Sequence, residues 1–392
     1  MSAPDLASGT ACFVPDARTL PRVQDGASNG IAIVLHDLRG GGAERACLRL
    51  ARGMVVCGRQ VELVLVRGEG AYISEIPPGV RITVLDRPRV SQAIWALAGH
   101  FRRTRPQAIL SALTHMNLAT IVAARLSGIA ARVVISERNQ ISAKARDAKS
   151  AWQRALYRAV PLLYRGADKV VAVSGGVAQD LSHFGHLPGA KIRVIHNPVF
   201  DPAITARAKE TPVHPWFEPK GPPIILAVGR LHRQKGFDVL LDAFAVARAE
   251  VDCRLVILGE GPERAALMAQ AERLGLAYDI DMPGFCENPF ALMARAGAFV
   301  LSSRWEGFPN ALVEAMACGA PVVATNCPSG PHEILDGGEI APLVPVDDAR
   351  ALGHALLATL LARPDTSRAR ARAQGFSVTA AANQYLDALE HA

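Results

Sequence analysis

Several absences narrow this sequence before any motif is read. No run of 18 or more apolar residues occurs, so no segment reads as a membrane-spanning helix. Aromatic residues make up only 5% of the chain. A chain this rich in small aliphatics suits buried parallel strands covered by helices. The seven cysteines, Cys12, Cys47, Cys57, Cys253, Cys286, Cys318 and Cys327, contain no Cys-x-x-Cys pair and are odd in number. That disfavours a disulfide framework or a zinc site and predicts reduced core thiols. No Gly-x-Gly-x-x-Gly follows the first predicted strand, which excludes a plain nicotinamide dehydrogenase. No Gly-x-x-x-x-Gly-Lys-[Ser/Thr] is present, which excludes a P-loop. Nucleic acid is a poor partner, because no helix-turn-helix, zinc-finger or RRM-type aromatic motif is found. The N-terminal stretch lacks an apolar core, so no signal peptide is read there and residues 1–29 read as a disordered tail.

What is present points to two domains. The chain has 392 residues, half of them hydrophobic, and single cores rarely grow beyond roughly 250–300 residues. Lys and Arg outnumber Asp and Glu by 26 to 13 in residues 1–200 and are outnumbered 17 to 23 in the remainder. Two readings of the basic half stand: attraction to an anionic phosphate or membrane surface, or an ordinary solvated basic face.

Hydrophobic patterning alternates strand and helix. Strands are predicted at Ile31–Leu35, Val61–Val66, Ile82–Leu85, Ala108–Leu113, Arg132–Ser136, Lys169–Val173 and Lys191–Ile195, with helices at Ala43–Val56, Val90–Arg105, Leu118–Leu126 and Ser150–Leu163. Prolines 198, 202, 212, 215, 219, 222 and 223 then crowd one stretch, read as a linker over 201–223. The alternation restarts with strands at Ile224–Val228, Arg254–Leu258, around Ile280, Ala298–Leu301 and Pro321–Ala324. Helices are predicted at Phe237–Ala249, Glu263–Leu274, Pro289–Arg295, Asn310–Cys318, Ala349–Leu361 and Thr379–Leu389. Such alternation predicts parallel α/β sheets in domains 30–200 and 224–375, with residues 376–392 forming a terminal helix.

Two loops carry chemistry. Gly229-Arg230 and Lys235-Gly236 lie between a strand and a helix, where doubly wound sheets bind ligands, and the two cations sit beside a helix N-terminus that also favours anions. They form a candidate diphosphate clamp. The second loop is Ser302-Ser303-Arg304-Trp305-Glu306-Gly307-Phe308-Pro309-Asn310, continuing into Ala311-Leu312-Val313-Glu314. Pro309 suits a first-turn helical position, which leaves Glu306 in the loop and Glu314 on the helix. Free amides around Gly307–Ala311 make another anion site. Two carboxylates beside a phosphate site suit hydroxyl donors such as ribose and hexose. The alternative is that Glu306 pairs with Arg304 and Glu314 is merely exposed.

These residues resemble the family 4 retaining glycosyltransferases, whose fold is GT-B: two Rossmann-like domains with parallel sheets facing a cleft and a C-terminal helix crossing back to the first domain. Glu306 and Glu314 match the family's pair of glutamates separated by seven residues. Gly284-Phe285, Asn288-Pro289, Glu306-Gly307-Phe308-Pro309, Pro321-Val322-Val323-Ala324-Thr325 and Gly330-Pro331-His332-Glu333-Ile334 follow in family order, and Gly40-Gly41-Gly42-Ala43-Glu44-Arg45 matches its glycine loop.

The resemblance implies a nucleotide-sugar donor, UDP-linked by analogy, and transfer of a hexose or N-acetylhexosamine. Arg230 and Lys235 would hold the diphosphate. Glu314 would bind ribose hydroxyls, Glu306 and His115 would face the hexose, and Gly284-Phe285 would meet the base. Gly307, Phe308, Pro309 and Asn310 would line the donor, and Gly41 and Gly42 would approach the phosphates or the acceptor. His115 also has a purely structural reading. No cofactor and no metal are expected, since no Asp-x-Asp falls near these motifs. Ser136-Glu137-Arg138-Asn139 resembles builders of surface polysaccharides or lipid-linked oligosaccharides, implying a glycan or polyprenyl-diphosphate-linked acceptor. Residues 138–165 carry Arg138, Lys144, Arg146, Lys149, Arg154, Arg158 and Arg165 against Asp147, with Trp152, Tyr157, Leu162, Leu163 and Tyr164. That suits a basic amphipathic helix on an anionic membrane, or an ordinary core-facing helix. The expected location is cytoplasmic, at the inner membrane face. A GT-B-like epimerase or phosphorylase, and a non-catalytic sugar-nucleotide-binding subunit, remain alternatives.

Overall fold

The computed structural model describes residues 30–39, 41–88, 90–218 and 221–391. The stretch read as a tail, with Cys12, and Gly40 lie outside the described residues. The first sheet is built from β1 (Ile31–Leu35), α1 (Gly42–Val56), β2 (Val61–Leu65), β3 (Val80–Val84), α2 (Val90–Thr104), β4 (Ala108–Ala112) and α3 (Thr114–Ser127). It continues through β5 (Arg132–Glu137), α4 (Ile141–Arg146), α5 (Ala151–Leu163), β6 (Lys169–Ala172), α6 (Gly175–His183) and β7 (Ile192–Val194). Its seven strands are parallel, in the order β3-β2-β1-β4-β5-β6-β7. β1, β2 and β4 are buried at every position, because helices cover both faces.

The second sheet follows α7 (Pro202–Arg207) and comprises β8 (Ile224–Val228), α8 (Phe237–Glu250), β9 (Arg254–Leu258), α9 (Arg264–Arg273), β10 (Ile280–Gly284), α10 (Pro289–Met293) and β11 (Ala298–Leu301). Then come α11 (Asn310–Cys318), β12 (Val322–Thr325), α12 (Pro331–Ile334), β13 (Leu343–Val344), α13 (Ala349–Ala362), α14 (Ser367–Gln374) and α15 (Val378–Glu390). Its order is β10-β9-β8-β11-β12-β13, again all parallel. In both sheets the strand order reverses beside the first strand, between β1 and β4 and between β8 and β11. The loops that leave those strands diverge there and open a crevice.

The last helix returns to the first domain. The Val199 and Phe200 amides donate to the Phe376 carbonyl, and the Val378 amide donates to the Phe200 carbonyl. α15 then packs on α1, where a Cβ on Gly53 would lie 2.8 Å from Ala382, so only glycine permits this approach. Tyr385 is fully buried, with its hydroxyl 2.9 Å from Ser136 Oγ. A buried cluster runs from Val177 and Tyr164 of the first domain to Phe308 and Leu312 of the second.

Some sequence expectations are corrected. The proline-rich stretch 201–223 contains a helix. Asp201 caps α7 by accepting from the Ala203 amide at 3.0 Å, and Pro202 takes a first-turn position where its missing N–H costs nothing. The proline marks a helix start as well as a break. α3 begins at Thr114 rather than Leu118, which puts His115 in a helical first turn. α4, α6 and α14 were not read from the sequence. α4 has six residues, and α14 buries only Ala369 and Ala373, so neither shows a hydrophobic period. α6 starts at Gly175, where Ser174 Oγ accepts from the Val177 amide at 3.2 Å. Among the described cysteines, Cys47, Cys253, Cys318 and Cys327 are buried, Cys57 and Cys286 are partly exposed, and all are free thiols. Among the described residues no helix is long and apolar enough to cross a membrane.

Candidate active site

The β8–β11 reversal brings the two predicted motifs together. β8 runs into Gly229-Arg230, and a short 3-10 turn at Arg233–Lys235 ends on Gly236 at φ 61°. A Cβ there would lie 2.2 Å from the Ser302 carbonyl, so the left-handed glycine seats the turn on the neighbouring loop. Lys235 Nζ donates to Glu306 Oε1 at 2.5 Å, and Ser303 Oγ donates to the same oxygen at 2.6 Å. Glu306 is only 5% exposed. It does not pair with Arg304, whose guanidinium is taken by Asp238 and Asp347 at 2.7 and 2.6 Å. Arg230 is exposed and makes no hydrogen bond or ion pair among the described residues. Its charge is felt across the cleft at Glu44 and Lys144.

Beyond Glu306 the backbone turns into α11. Pro309 occupies the N-cap position and the helix begins at Asn310; the Leu312 amide donates to the Pro309 carbonyl at 3.1 Å, and the Asn310 and Ala311 amides have no backbone acceptor among the described residues. Phe308 is buried, its ring 5.3 Å from His196 and 5.2 Å from Phe376, which leaves only its backbone for a ligand. Gly307 meets the first domain: a Cβ would lie 2.0 Å from the Arg138 carbonyl. Glu314 is buried rather than an exposed helix residue, with Arg49 Nη2 at 2.9 Å from its Oε1. Gly284 ends β10 at φ 90°, and the Phe285 ring beyond it is exposed.

The first domain supplies the opposite wall. α1 starts at Gly42, whose carbonyl accepts from Asn310 Nδ2 at 3.0 Å, and Gly41 is its N-cap. The Glu44 carboxylate folds back over Gly41, and burial pushes its carboxyl up. His115 follows Leu113, a non-glycine residue held at φ 76°. Such strain concentrates where a neighbouring side chain must be aimed. Burial, with the nearby charges of His36 and Lys144, pushes the His115 imidazole down to about 4, so it is neutral near pH 7. The His36 ring lies 5.8 Å away, and its Nδ1 is 2.6 Å from Asp37 Oδ2.

The segment 138–165 is not one amphipathic helix. Arg138 is buried in the domain seam, donating to Asn197 Oδ1 and Cys47 Sγ. Glu137 is buried and accepts from Thr114 Oγ1, the Arg138 amide and the Tyr164 hydroxyl, the last at 2.7 Å. Burial pushes its carboxyl up. Lys144, on α4, has no ion pair among the described residues; burial pushes its ammonium down. α5 is the outer piece. It exposes Trp152 and Leu162 at 65% and 73%, with Arg154 and Arg158 between them in sequence, while Tyr164 is inside.

The domains meet along a polar seam. Asn197 Nδ2 donates to Asn310 Oδ1 at 2.7 Å, and Ser174 Oγ lies 2.5 Å from Ser329 Oγ. Glu333 accepts from the Gly175 and Gly176 amides at 2.9 and 3.2 Å, with His196 Nε2 at 3.3 Å. Burial raises the Glu333 carboxyl, but the His196 bond and the two amides outweigh it and hold it below its ordinary value. Sequence reasoning did not single out Arg49, His36 or Asn197 for the site. None stands in a motif of its own, since each acquires a partner only through the fold. Among the described residues no group of three or more His, Cys, Asp or Glu is placed to hold a metal. The Asp279-Ile280-Asp281 run at the start of β10 is occupied, Asp279 by Arg248 at 3.2 Å and Asp281 by His214 at 2.9 Å.

Comparison with known proteins agrees across both halves. A model described as Glycosyltransferase Family 4 matches residues 40–201, and one described as Glycosyl transferases group 1 matches residues 209–376. The chain is 33% identical over 221 residues to the N-acetylgalactosamine-N,N'-diacetylbacillosaminyl-diphospho-undecaprenol 4-alpha-N-acetylgalactosaminyltransferase of Campylobacter jejuni, covering 55% of this chain and 58% of that protein. It is 32% identical over 196 residues to a lipopolysaccharide core biosynthesis glycosyltransferase of Rhizobium meliloti, covering 49% and 54%. The matches thus span little more than half the length of either relative. The structure of Anabaena Alr3699/HepE, solved with UDP and glucose, superposes with a TM-score of 0.75 at 21% identity over 92% of this chain and 98% of that one, a likeness of fold.

Proposed function

The chain belongs to the family 4, group 1 glycosyltransferases, and on that premise we propose that it transfers a hexose or N-acetylhexosamine, with retention, from a UDP-sugar to a glycan or polyprenyl-diphosphate-linked acceptor. The observation that supports this reading is the Lys235–Glu306 pair at the β8–β11 reversal, with Arg230 on the same loop as Lys235 and Glu314 on the helix that follows Glu306. Among the described residues Arg230 has no ion-pair or hydrogen-bond partner, and Lys235 keeps two N–H donors beyond its bond to Glu306. With the open amides of α11, they stabilise charge on a departing diphosphate. Glu306 has Oε2 left for a sugar hydroxyl, and Glu314 reads the ribose. Phe285 and the Gly284 backbone meet the base. Retention then follows a same-face route in which the leaving phosphate accepts the acceptor's hydroxyl proton. His115, neutral near pH 7, hydrogen-bonds the hexose. No metal takes part, so chelators leave turnover intact.

The acceptor approaches from the first domain. Its basic residues, Lys144 among them, suit a phosphate-bearing acceptor, in keeping with the lipid diphosphate named for the Campylobacter relative. The exposed Trp152 and Leu162, together with the exposed Arg154 and Arg158 between them in sequence, give α5 a surface for an anionic membrane at the inner side of the cell membrane. Polysaccharide or lipopolysaccharide assembly is the process this chemistry serves.

The test is a panel of nucleotide sugars scored for thermal stabilisation, followed by detection of the released nucleoside diphosphate and a glycosylated product. A UDP-sugar that stabilises the protein, and UDP release that depends on an acceptor, is the expected result. Sugar isomerisation without an acceptor, or phosphorolysis, would replace the transferase reading. For the membrane face, Trp152→Glu with Leu162→Glu is expected to abolish salt-sensitive binding to anionic vesicles; wild-type protein that stays in the supernatant at low salt refutes it.

A further inference from the structure

Glu314 lies on α11 of the second domain, yet the cation that meets it comes from the first. Arg49 Nη2 of α1 is 2.9 Å from Glu314 Oε1, and the two side chains are 12% and 9% exposed. Arg45 and Arg52 stand on the same face of α1, a turn before and a turn after. Each has its own acid: Arg45 meets Glu75 at 3.0 Å, and Arg52 pairs with Asp201 at the crossover between domains. Arg49 alone of this file reaches a residue of the nucleotide site.

The pair has a chemical consequence. A nearly buried carboxylate is costly as an unpaired charge. With Arg49 on Oε1, the group is held in one orientation as an acceptor. Oε2 makes no hydrogen bond among the described residues, so it is open to a hydroxyl donor. Arg52 is engaged elsewhere, because Asp201 holds it; burial, and then the Arg49 guanidinium, already work against its charge.

We propose that Arg49 is a specificity-determining positioning residue. It fixes the Glu314 carboxylate so that its second oxygen reads the ribose hydroxyls of the nucleotide. Because it reaches from the first domain, that reading is available only while the domains are closed. This rests on the donor reading given above and adds to it the residue that makes the site select a ribonucleotide. Ribose binding and closure are then linked, each favouring the other by the same factor.

Calorimetric titration with UDP and with 2'-deoxy-UDP tests this on the full chain. Wild type is expected to prefer UDP by about 10-fold or more, the loss that follows removal of one hydrogen bond to a charged group. Arg49→Gln and Arg49→Met, two neutral replacements of similar length, are expected to weaken UDP to the level of 2'-deoxy-UDP. The 2'-deoxy-UDP affinity itself is expected to stay within about twofold, because Arg230 and Lys235 still hold the diphosphate. A role confined to packing would weaken both nucleotides together. If either folded Arg49 variant keeps the wild-type preference, or loses affinity for both nucleotides equally, this inference falls and the donor reading stands. If wild type binds neither nucleotide, the donor reading falls and takes the inference with it.

Discussion

Replacing Lys235 by methionine removes the ammonium 2.5 Å from Glu306 Oε1 and keeps a stem of similar length against Gly229. Two consequences separate. Glu306, 5% exposed, keeps only the Ser303 hydroxyl at 2.6 Å. A hydrogen bond to a charged group contributes about 1.5–3 kcal/mol. The Lys235 side chain is 20% exposed, so water restores part of the loss. The expected destabilisation is about 1–2 kcal/mol, or about 3–6 °C in melting temperature for domains of this size. Turnover suffers more. One preorganised donor to a developing negative charge is worth about 10²–10³ in rate, so kcat is expected to drop by that factor while the protein stays folded. The double variant Lys235→Met with Glu306→Gln removes both charges, which is close to neutral for stability. It is expected to regain the melting temperature and not the turnover. Coupled detection of UDP release, with melting curves in the same buffer, reads both. Turnover of Lys235→Met within about threefold of wild type, or recovery of turnover in the double variant, would show the pair to be structural only.

Three further outcomes are expected. Gly307→Ala places a Cβ 2.0 Å from the Arg138 carbonyl of the other domain; overpacking costs about 1–3 kcal/mol, and X-ray scattering is expected to show a larger radius with at least tenfold lower turnover, whereas wild-type values for both would refute the tight seam. His115 binds its proton only near pH 4 when folded, against 6.5 ordinarily, so the unfolded chain takes up the proton first and stability is lost as pH falls between those values. His115→Asn is expected to show a smaller drop in melting temperature from pH 7 to pH 4.5; an unchanged drop would deny that the half-buried imidazole is neutral. Glu333, held below its ordinary value, contributes stability above the carboxylate range and loses it as pH falls through its folded value. Glu333→Gln is therefore expected to lower the melting temperature by about 2–4 °C at pH 7 and by little near pH 3, and equal effects at both would refute the assignment.

Periodicity alone located the long elements. Buried parallel strands such as Ile31–Leu35 and Ile224–Val228 write continuous apolar runs, and α8 and α13 repeat apolar residues at helical spacing. Local chemistry singled out Arg230, Lys235 and Glu306 as candidates, because cations and acids in the loops after strands stand out from any core pattern, and Glu314 on the helix that follows. Short elements stayed hidden: α4 and α14 bury too few residues to write a period. The partners of the site residues were equally invisible. Glu314 meets Arg49 across 265 positions, Asn310 meets Asn197 across 113, and Glu333 meets the Gly175 amide across 158. A side chain's own residue type sets what it can bind, and that is written locally. Which group stands opposite it is set by two strand-order reversals and a returning helix, so only the closed tertiary structure decides it.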